Sequence, residues 1–375
     1  MWKRSERSFA TLSTWPLGSE IEREPLDFKK LYTFGVKERT LVIIRENLKK
    51  CKIAFPDWFS QACEKQRLNI LARNIILLER TADMLQHFAD LGIRSIPYKG
   101  IAMLGAVYPL GLRDMSDVDI LINRSDMPLA QKSLLEMGYT PLTNIEYFDS
   151  NYNTGIYSIL YHRKQENFSI LVHLHWKIFN SSVATDHERS EIIHSDIWAS
   201  ATAIKFGKST TFRLSHEHAF ILACEHATKH SFDPLIHLVD VFATFKKNLP
   251  DFTLAVKTAH KWNLGFPIYI CSWILNRMIG ISEFSGLETA LKPGTACVEN
   301  YLIRELLRRN IRGHGLSVLS YLSMAHSLPQ KAILLYFTFF PDANSMKILG
   351  KDASTLGYIS RGIKSAKLLA GTLTR

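Results

Sequence analysis

The spacing of apolar residues divides the chain into a long helix, a group of short strands and a second half with mostly helical patterns. Residues 68–91 carry apolar side chains every three or four positions and are followed by Gly92, which predicts a long helix that ends at this glycine. Residues 95–98 and 117–122 are short apolar runs that are typical of buried strands.

Further along, helical and strand patterns alternate before the helical half begins. Residues 127–137 return to helical spacing, with Ser125 as the expected N-cap. Residues 156–162 and 168–178 flank a polar turn, which predicts a β-hairpin. From about residue 186 helical patterns dominate to the end of the chain.

These elements predict an α+β protein with a small mixed sheet covered by helices. Residues 1–25 are polar and lack regular spacing, which indicates a loose arm. We expect three parts: an N-terminal arm with helices over residues 1–64, a sheet-containing core over residues 65–180, and a helical domain over residues 181–375.

The clearest candidate chemistry is a pair of acids, Asp117 and Asp119, in one predicted strand. Alternate side chains of a strand point to the same side, so the two carboxylates would lie about 7 Å apart along one face. Such a pair can hold a divalent cation. The same pattern also fits acids at a strand end that face water.

Just upstream, Lys99 and Gly100 follow a predicted strand and open a predicted helix over residues 101–107. A glycine lets the backbone approach a phosphate, and a helix N-terminus presents free N–H groups to an anion. Lys99 would then contact phosphates, although a solvated lysine at a strand end is the plainer interpretation. Together with the paired acids, this order predicts metal-assisted phosphoryl transfer.

Composition narrows the class of protein further. The chain has 375 residues, 46% hydrophobic content and a formal net charge of +11, which suits an anionic ligand without distinguishing a nucleotide from nucleic acid or a membrane surface. The 5 cysteines are scattered without CxxC spacing, so neither a disulfide framework nor a zinc ribbon is indicated. With neither a secretory signal nor an apolar run of transmembrane length, we expect a cytoplasmic protein.

Residues 98–122 contain Lys-Gly and then Pro-x-Gly-Leu-Arg-x-Met-Ser-Asp-x-Asp. This series resembles a little-characterised bacterial nucleotidyltransferase family of the DNA polymerase β superfamily. The resemblance implies a nucleotidyltransferase core, Mg²⁺ or Mn²⁺ bound by Asp117 and Asp119, and transfer of a nucleoside monophosphate from an NTP to a hydroxyl acceptor with release of pyrophosphate. The acceptor could be a small molecule, a sugar, a protein or an RNA.

The chain differs from that family at a third acidic position. In the family, this acid begins a motif that ends in Leu-His-Trp. Here the segment is Val-His-Leu-His-Trp, so His173 stands where the acid is expected and His175 follows. Both histidines would project to one face, and in the family's register that face carries the two aspartates. A neutral imidazole can accept a proton or ligate a metal, but it supplies no charge to offset Mg²⁺.

Three interpretations of His173 remain open. The protein is an active enzyme that uses this histidine as a base or weak ligand, an enzyme that uses another carboxylate, or a degenerate relative that binds a nucleotide or partner without turnover. His175 by itself equally fits a half-buried strand histidine satisfied by the backbone.

Two residues at the turn before the acids also match the family series. The resemblance implies that Arg113 and Ser116 contact the nucleotide, with Arg113 offsetting negative charge on the triphosphate. An internal ion pair of Arg113 with Asp114 or Glu136 is the alternative.

The helical half adds candidates for the wall of a cleft. His226 and His230 are four residues apart and share one helical face. The order Glu-His-x-x-x-His lacks the base position of a zinc protease. The resemblance implies that these histidines and Asp240 line the active cleft, whereas polar groups inside a helix bundle are the alternative. Residues 355–375 form a basic amphipathic pattern that allows weak contact with an anionic surface or packing on the protein itself.

Overall fold

A computed structural model gives the fold of the chain. The segment 355–375, on which the anionic-surface prediction depends, lies outside the residues that the structure describes. The described residues are 4–14, 25–142, 157–164, 168–178, 187–293, 298–308, 314–325 and 328–340.

Seven strands form a mixed five-stranded sheet and a separate two-stranded hairpin. The order in the larger sheet is β1-β2-β5-β4-β3, with β2 and β5 parallel and the other neighbours antiparallel. The two predicted strands before and at the acids and the predicted hairpin are confirmed. The strands are β1 (Ser95–Tyr98), β2 (Asp117–Ile122), β3 (Thr140–Pro141), β4 (Ser158–Lys164), β5 (Ser169–His175), β6 (Thr202–Phe206) and β7 (Ser209–Arg213).

Helices precede the sheet, connect its strands and make up most of the second half, so the predicted α+β class is confirmed. None of the helices in the described ranges is both long and apolar enough to cross a membrane. The helices are α1 (Arg4–Leu12), α2 (Phe28–Lys37), α3 (Leu41–Lys50), α4 (Asp57–Asp90), α5 (Gly100–Met103), α6 (Met127–Glu136), α7 (His187–Ser200), α8 (His216–Lys229), α9 (Ile236–Asn248), α10 (Phe252–Trp262), α11 (Gly265–Trp273), α12 (Ser285–Ala290), α13 (Val298–Arg308), α14 (His314–Met324) and α15 (Leu328–Phe339).

The two faces of the larger sheet pack against different helices. Val118 and Ile120 of β2 and Val172 of β5 belong to a hydrophobic core that they share with α4 and α6. On the other face, Ile96 and Leu121 join a larger core that continues into α8, α9 and α11. Because successive side chains of a strand alternate, the acids of β2 point toward the helical half.

Residues 4–14, the described part of the predicted N-terminal arm, do not form the loose segment that their polar composition indicates. Within them α1 is a helix, and Phe9 and Leu12 are buried. Asn47 of α3 fixes the end of α1, since its Nδ2 donates to the carbonyl oxygens of Leu12 at 2.8 Å and Thr14 at 2.6 Å. The prediction was wrong because a few apolar residues on one face of a short helix suffice when a neighbour satisfies its terminal carbonyls.

The helical half also contains a hairpin, β6–β7, that its sequence pattern did not indicate. The strands are short and partly exposed, so their apolar alternation is weak. Thr211 of β7 donates its hydroxyl to the carbonyl oxygen of Ser95 at 2.7 Å. The hairpin therefore continues the packing of the core sheet beside β1, and the second half, in which helices dominate as predicted, also contains this pair of strands.

Three helix boundaries differ from the predicted ones. The long helix α4 begins at Asp57 instead of residue 68. The helix after Lys99 ends at Met103 instead of residue 107, and Gly105 follows with a φ of +75°. The N-cap of α6 is Asp126 instead of Ser125, because the residues before it form a 3₁₀ turn. Such shifts are ordinary at helix ends, where local turns compete with the helix.

Candidate active site

The parallel pairing of β2 and β5 brings two aspartates and two histidines together. Asp119 lies opposite His173 in the register, and His175 lies two positions further along β5. His175 Nε2 is 2.9 Å from Asp119 Oδ1, and His173 Nε2 is 3.7 Å from Asp117 Oδ2. The histidines thus share the face of the acids, as the resemblance implied. Their chemical roles stay predictions.

Asp119 is the most enclosed member of this cluster. Its side chain is 7% exposed, and Lys99 Nζ is 2.6 Å from its Oδ1. Burial alone would raise the pKa of Asp119, but the Lys99 ammonium and the hydrogen bond with His175 outweigh it and hold the pKa well below its usual range. Asp119 is therefore a carboxylate with two positive or polar partners already in place.

Lys99 reaches Asp119 from a strained backbone position between β1 and α5. Its φ of 55° is in the left-handed region, which a residue with a side chain seldom adopts. The strained residue is thus the lysine and not Gly100, which follows it. On the other side of the acids, the Ser116 hydroxyl donates to Asp117 Oδ1 at 3.2 Å. The phosphate-binding roles predicted for Lys99, Gly100 and Ser116 stay predictions.

His175 is held as a neutral imidazole. Burial lowers the pKa of His175 to about 4, although the hydrogen bond to Asp119 opposes this. Its ring meets the Tyr98 ring edge-on at 5.3 Å and stacks on His173 at 5.8 Å. With Nε2 donating to Asp119, the buried Nδ1 has no hydrogen-bond partner among the described residues.

The donor chemistry of the cluster fits a divalent cation. The candidate ligand atoms of Asp119, His173 and His175 all lie within 4.8 Å of one another. Asp117 adds a second carboxylate at the open end, where its side chain is 39% exposed. Carboxylates and neutral imidazoles are established ligands of divalent metals.

Arg113 and Asp240 form a buried ion pair behind the acids. Arg113 Nε is 2.8 Å from Asp240 Oδ1, and Nη2 is 2.7 Å from Oδ2, so the contact is bidentate. The Tyr108 hydroxyl donates to the same carboxylate at 2.9 Å, and Arg113 also donates to the backbone oxygen of Asp114. This group ties the loop before β2 to α9. The predicted contact of Arg113 with a nucleotide stays a prediction.

The predicted histidines of α8 are joined by a third, His237 of α9, which sequence reasoning missed. The ring centroids of His226, His230 and His237 lie 4.5, 4.7 and 4.9 Å apart in pairs. Burial holds the pKa of His226 well below its usual value, and the positive charge of Lys99 lowers it further. The charge of Lys99 also contributes to the lowered pKa of His237.

Two further charged residues of α8 were also missed. Burial raises the pKa of Glu225 and lowers that of Lys229, and the charge of Lys99 acts on both. The Tyr321 hydroxyl is 3.5 Å from Glu225 Oε1. The i, i+4 spacing of Glu225 and Lys229 was the available signal, but on its own it indicates an ordinary helix-surface pair.

The fold and the site define an α+β protein with two aspartates and two histidines on one face of a mixed sheet. The chain belongs to the family described as "Uncharacterised nucleotidyltransferase", which matches residues 24–280. That range covers every candidate residue of the cluster and its wall. The predicted membership of a nucleotidyltransferase family is confirmed, while its bacterial kind and the correspondence of individual motifs stay predictions.

A crystal structure of an antigenic nucleotidyltransferase-like protein from Paracoccidioides brasiliensis is a distant structural neighbour. It shares 13% identity with this chain, with a TM-score of 0.36, and the aligned region covers 59% of this chain and 94% of that one. A similarity at this level carries no argument about function. No curated protein matches the chain.

Proposed function

We propose that the protein is a metal-dependent nucleotidyltransferase that moves a nucleoside monophosphate from an NTP to a hydroxyl acceptor. The observation that carries this proposal is the β2–β5 register, which places Asp117, Asp119 and His173 on one face. The family membership supports the class of reaction. The acceptor belongs to one of four classes: a small molecule, a sugar, a protein side chain or an RNA end.

Asp119, with Asp117 at the open end of the cluster, would hold the divalent cation that this chemistry requires. When bound, the cation neutralises charge on the phosphates and on the attacking and leaving oxygens. Lys99, 29% exposed and already at the acids, offers its ammonium to the triphosphate. Gly100 and Ser116 flank the same opening, and Arg113 holds the loop before β2 in position through Asp240.

In the transfer, the acceptor oxygen forms a bond to the α-phosphorus while the bond from that phosphorus to the bridging oxygen breaks. The pyrophosphate leaves with the electron pair of the broken bond, and the hydroxyl proton passes to a base. His173 stands at the third acidic position of the family series. Its partly exposed imidazole can take up this proton or bind the cation. The wall of α8 and α9, with His226, His230 and Lys229, would face the leaving phosphates.

A non-catalytic nucleotide- or partner-binding protein is the alternative, and one contact favours it. The Lys99 ammonium neutralises Asp119 at 2.6 Å and the neutral His175 donates to it at 2.9 Å, so this carboxylate has partners without any metal. In that case the fold would retain the nucleotide surface without turnover.

The discriminating experiment uses the full-length protein with each α-³²P-labelled NTP, Mg²⁺ or Mn²⁺, and a cell extract as the source of acceptors. The proposal expects a labelled product that is lost in Asp117→Asn. The matched control is Asp90→Asn, which makes the same change at the exposed end of α4 and leaves transfer intact. Nucleotide binding without label transfer under either metal would support the alternative.

A further inference from the structure

The candidate site carries as many imidazole side chains as carboxylates, and this composition bears on which cation it holds. Asp119 and His173 are directly opposed in the parallel register, and His175 lies on the same face. The candidate ligand atoms of these three residues lie within 4.8 Å of one another. A cation placed among them would therefore meet two nitrogen donors and one carboxylate, with Asp117 at the open side.

This donor set does not suit Mg²⁺. Mg²⁺ is a hard cation that takes oxygen ligands in near-ideal octahedral geometry. Imidazole nitrogen suits zinc and the later first-row metals, and the affinity of a mixed nitrogen and oxygen site rises from Mn²⁺ toward those ions. Two histidines and one carboxylate that leave an open position make a common catalytic zinc site.

Resting on the proposed function, we infer that this site binds a first-row transition-metal dication of the Zn²⁺ or Co²⁺ type in preference to Mg²⁺. Asp119, His173 and His175 are the protein ligands, and the open side toward Asp117 is left for a phosphate oxygen.

The environment of His175 supports a ligand at this place. Its ring is fixed between Tyr98 and His173, and its Nε2 lies 2.9 Å from Asp119 Oδ1, so an imidazole nitrogen already stands beside the carboxylate that would bind the cation.

His173 can turn to a cation without repacking the core. Its side chain is 29% exposed, and its Nε2 is 3.7 Å from Asp117 Oδ2. The substitution of His173 is therefore a safer test than that of the buried His175, because His173 is the more exposed of the two and its ring contact is with His175.

The test measures binding of each metal alone to metal-free, full-length protein by isothermal titration calorimetry, with ZnCl₂, CoCl₂ or MgCl₂ and no nucleotide. The visible absorption of bound Co²⁺ gives a second readout of nitrogen ligation. The variants are His173→Asp, which offers an oxygen at the same position, and the control His260→Ala, at an exposed position at the end of α10.

The wild type should bind Co²⁺ and Zn²⁺ at least about tenfold more tightly than Mg²⁺. His173→Asp should weaken Co²⁺ binding by about tenfold, change its absorption and strengthen Mg²⁺ binding, while His260→Ala matches the wild type. The inference would be overturned if the wild type bound Co²⁺ and Mg²⁺ with equal affinity. It would also be overturned if His173→Asp kept the wild-type ratio of Co²⁺ affinity to Mg²⁺ affinity. An equal decrease of Co²⁺ affinity in His260→Ala would overturn it as well, because it would indicate adventitious binding.

These results are separable from those of the transfer assay. If the protein transfers label with Mg²⁺ and shows no preference for Co²⁺, the metal inference is overturned and the proposed transferase function still stands. Co²⁺ bound through His173 with no label transfer under any metal would contradict the transferase and leave the metal inference.

Discussion

His173 faces Asp119 across the parallel pair of strands β2 and β5. A parallel pair needs a crossover connection, and here the chain passes through α6, β3 and β4 before it returns as β5. The position of the histidine therefore depends on the whole core sheet. Since His175 is neutral, Lys99 is the positive charge that offsets the acids directly.

Lys99 should compete with a cation for Asp119. Its Nζ lies 2.6 Å from Asp119 Oδ1, where a bound metal would meet a like charge. A like charge about 4 Å away costs about 1–4 kcal/mol, depending on the dielectric, so Lys99→Met should raise Co²⁺ affinity at least about fivefold. Calorimetric titration with Co²⁺ alone measures this change.

The same substitution should weaken NTP binding if the lysine also contacts phosphates. Lys132→Met on α6 is the control, because that lysine is 74% exposed. An unchanged Co²⁺ affinity in Lys99→Met would contradict the competition. It would show that breaking the ion pair of Lys99 with Asp119 on metal binding costs no free energy.

The buried pair of Arg113 and Asp240 should contribute to folding more than a surface pair does. Its side chains are 7% and 11% exposed and doubly hydrogen-bonded. Asp240→Ala leaves the Arg113 charge unpaired and should lower the free energy of unfolding by about 3–5 kcal/mol. Glu283→Ala, which breaks an exposed pair with Lys246, should cost about 0–1 kcal/mol. Urea denaturation of both variants measures the difference.

A double variant then separates stability from activity. Arg113→Met with Asp240→Leu removes both charges and should recover most of the lost stability. If this double variant folds but no longer transfers label, the Arg113 and Asp240 pair is needed for transfer beyond its contribution to folding. Full activity in a stable double variant would contradict a contact of Arg113 with the nucleotide.

The sequence was sufficient where the signal is local. The strand with Asp117 and Asp119, the hairpin that carries the histidines and the end of α4 at Gly92 all follow from apolar periodicity and a turn residue. The shared face of Asp119 and His173 could be expected only through the resemblance, because the sequence of neither strand specifies that the two pair in parallel.

The remaining site residues depend on tertiary packing. His237 joins His226 because α8 and α9 pack together, and Glu225 and Lys229 look like surface residues until the helical half closes over the sheet. The α1 helix and the β6–β7 hairpin were missed for a related reason. Their own patterns are weak, and partners such as Asn47 and Ser95 stabilise them from distant parts of the chain.

Asn47 should be essential for the docking of α1. Its Nδ2 donates to the carbonyl oxygens of Leu12 and Thr14, and it is buried. Asn47→Leu leaves two carbonyl groups without this donor and should destabilise the protein by about 1–3 kcal/mol. Hydrogen exchange of residues 4–14 should rise more than that of β2. The control Asn248→Leu, at the partly exposed end of α9, should change neither measurement.

His237 should make the fold sensitive to mild acid. Burial and the neighbouring positive charges of His230, Arg113 and Arg39 lower its pKa from 6.5 to about 2. Its folded pKa is thus below the unfolded one, so between these values the unfolded chain binds a proton that the folded chain does not. Stability from this group is therefore lost as pH falls below 6.5, by at most about 1.4 kcal/mol per pH unit.

The measurement is urea denaturation of the wild type and His237→Leu at pH 7.5, 6.0 and 5.0. The wild type should lose stability steeply over this range, and His237→Leu should lose less because one buried titrating group is gone. His260→Leu controls for the substitution itself at an exposed helix position. Parallel profiles of unfolding free energy against pH for the wild type and His237→Leu would contradict this prediction. They would mean that His237 is protonated in the folded state without cost, so that the cluster of His226, His230 and His237 takes up charge as readily as the unfolded chain.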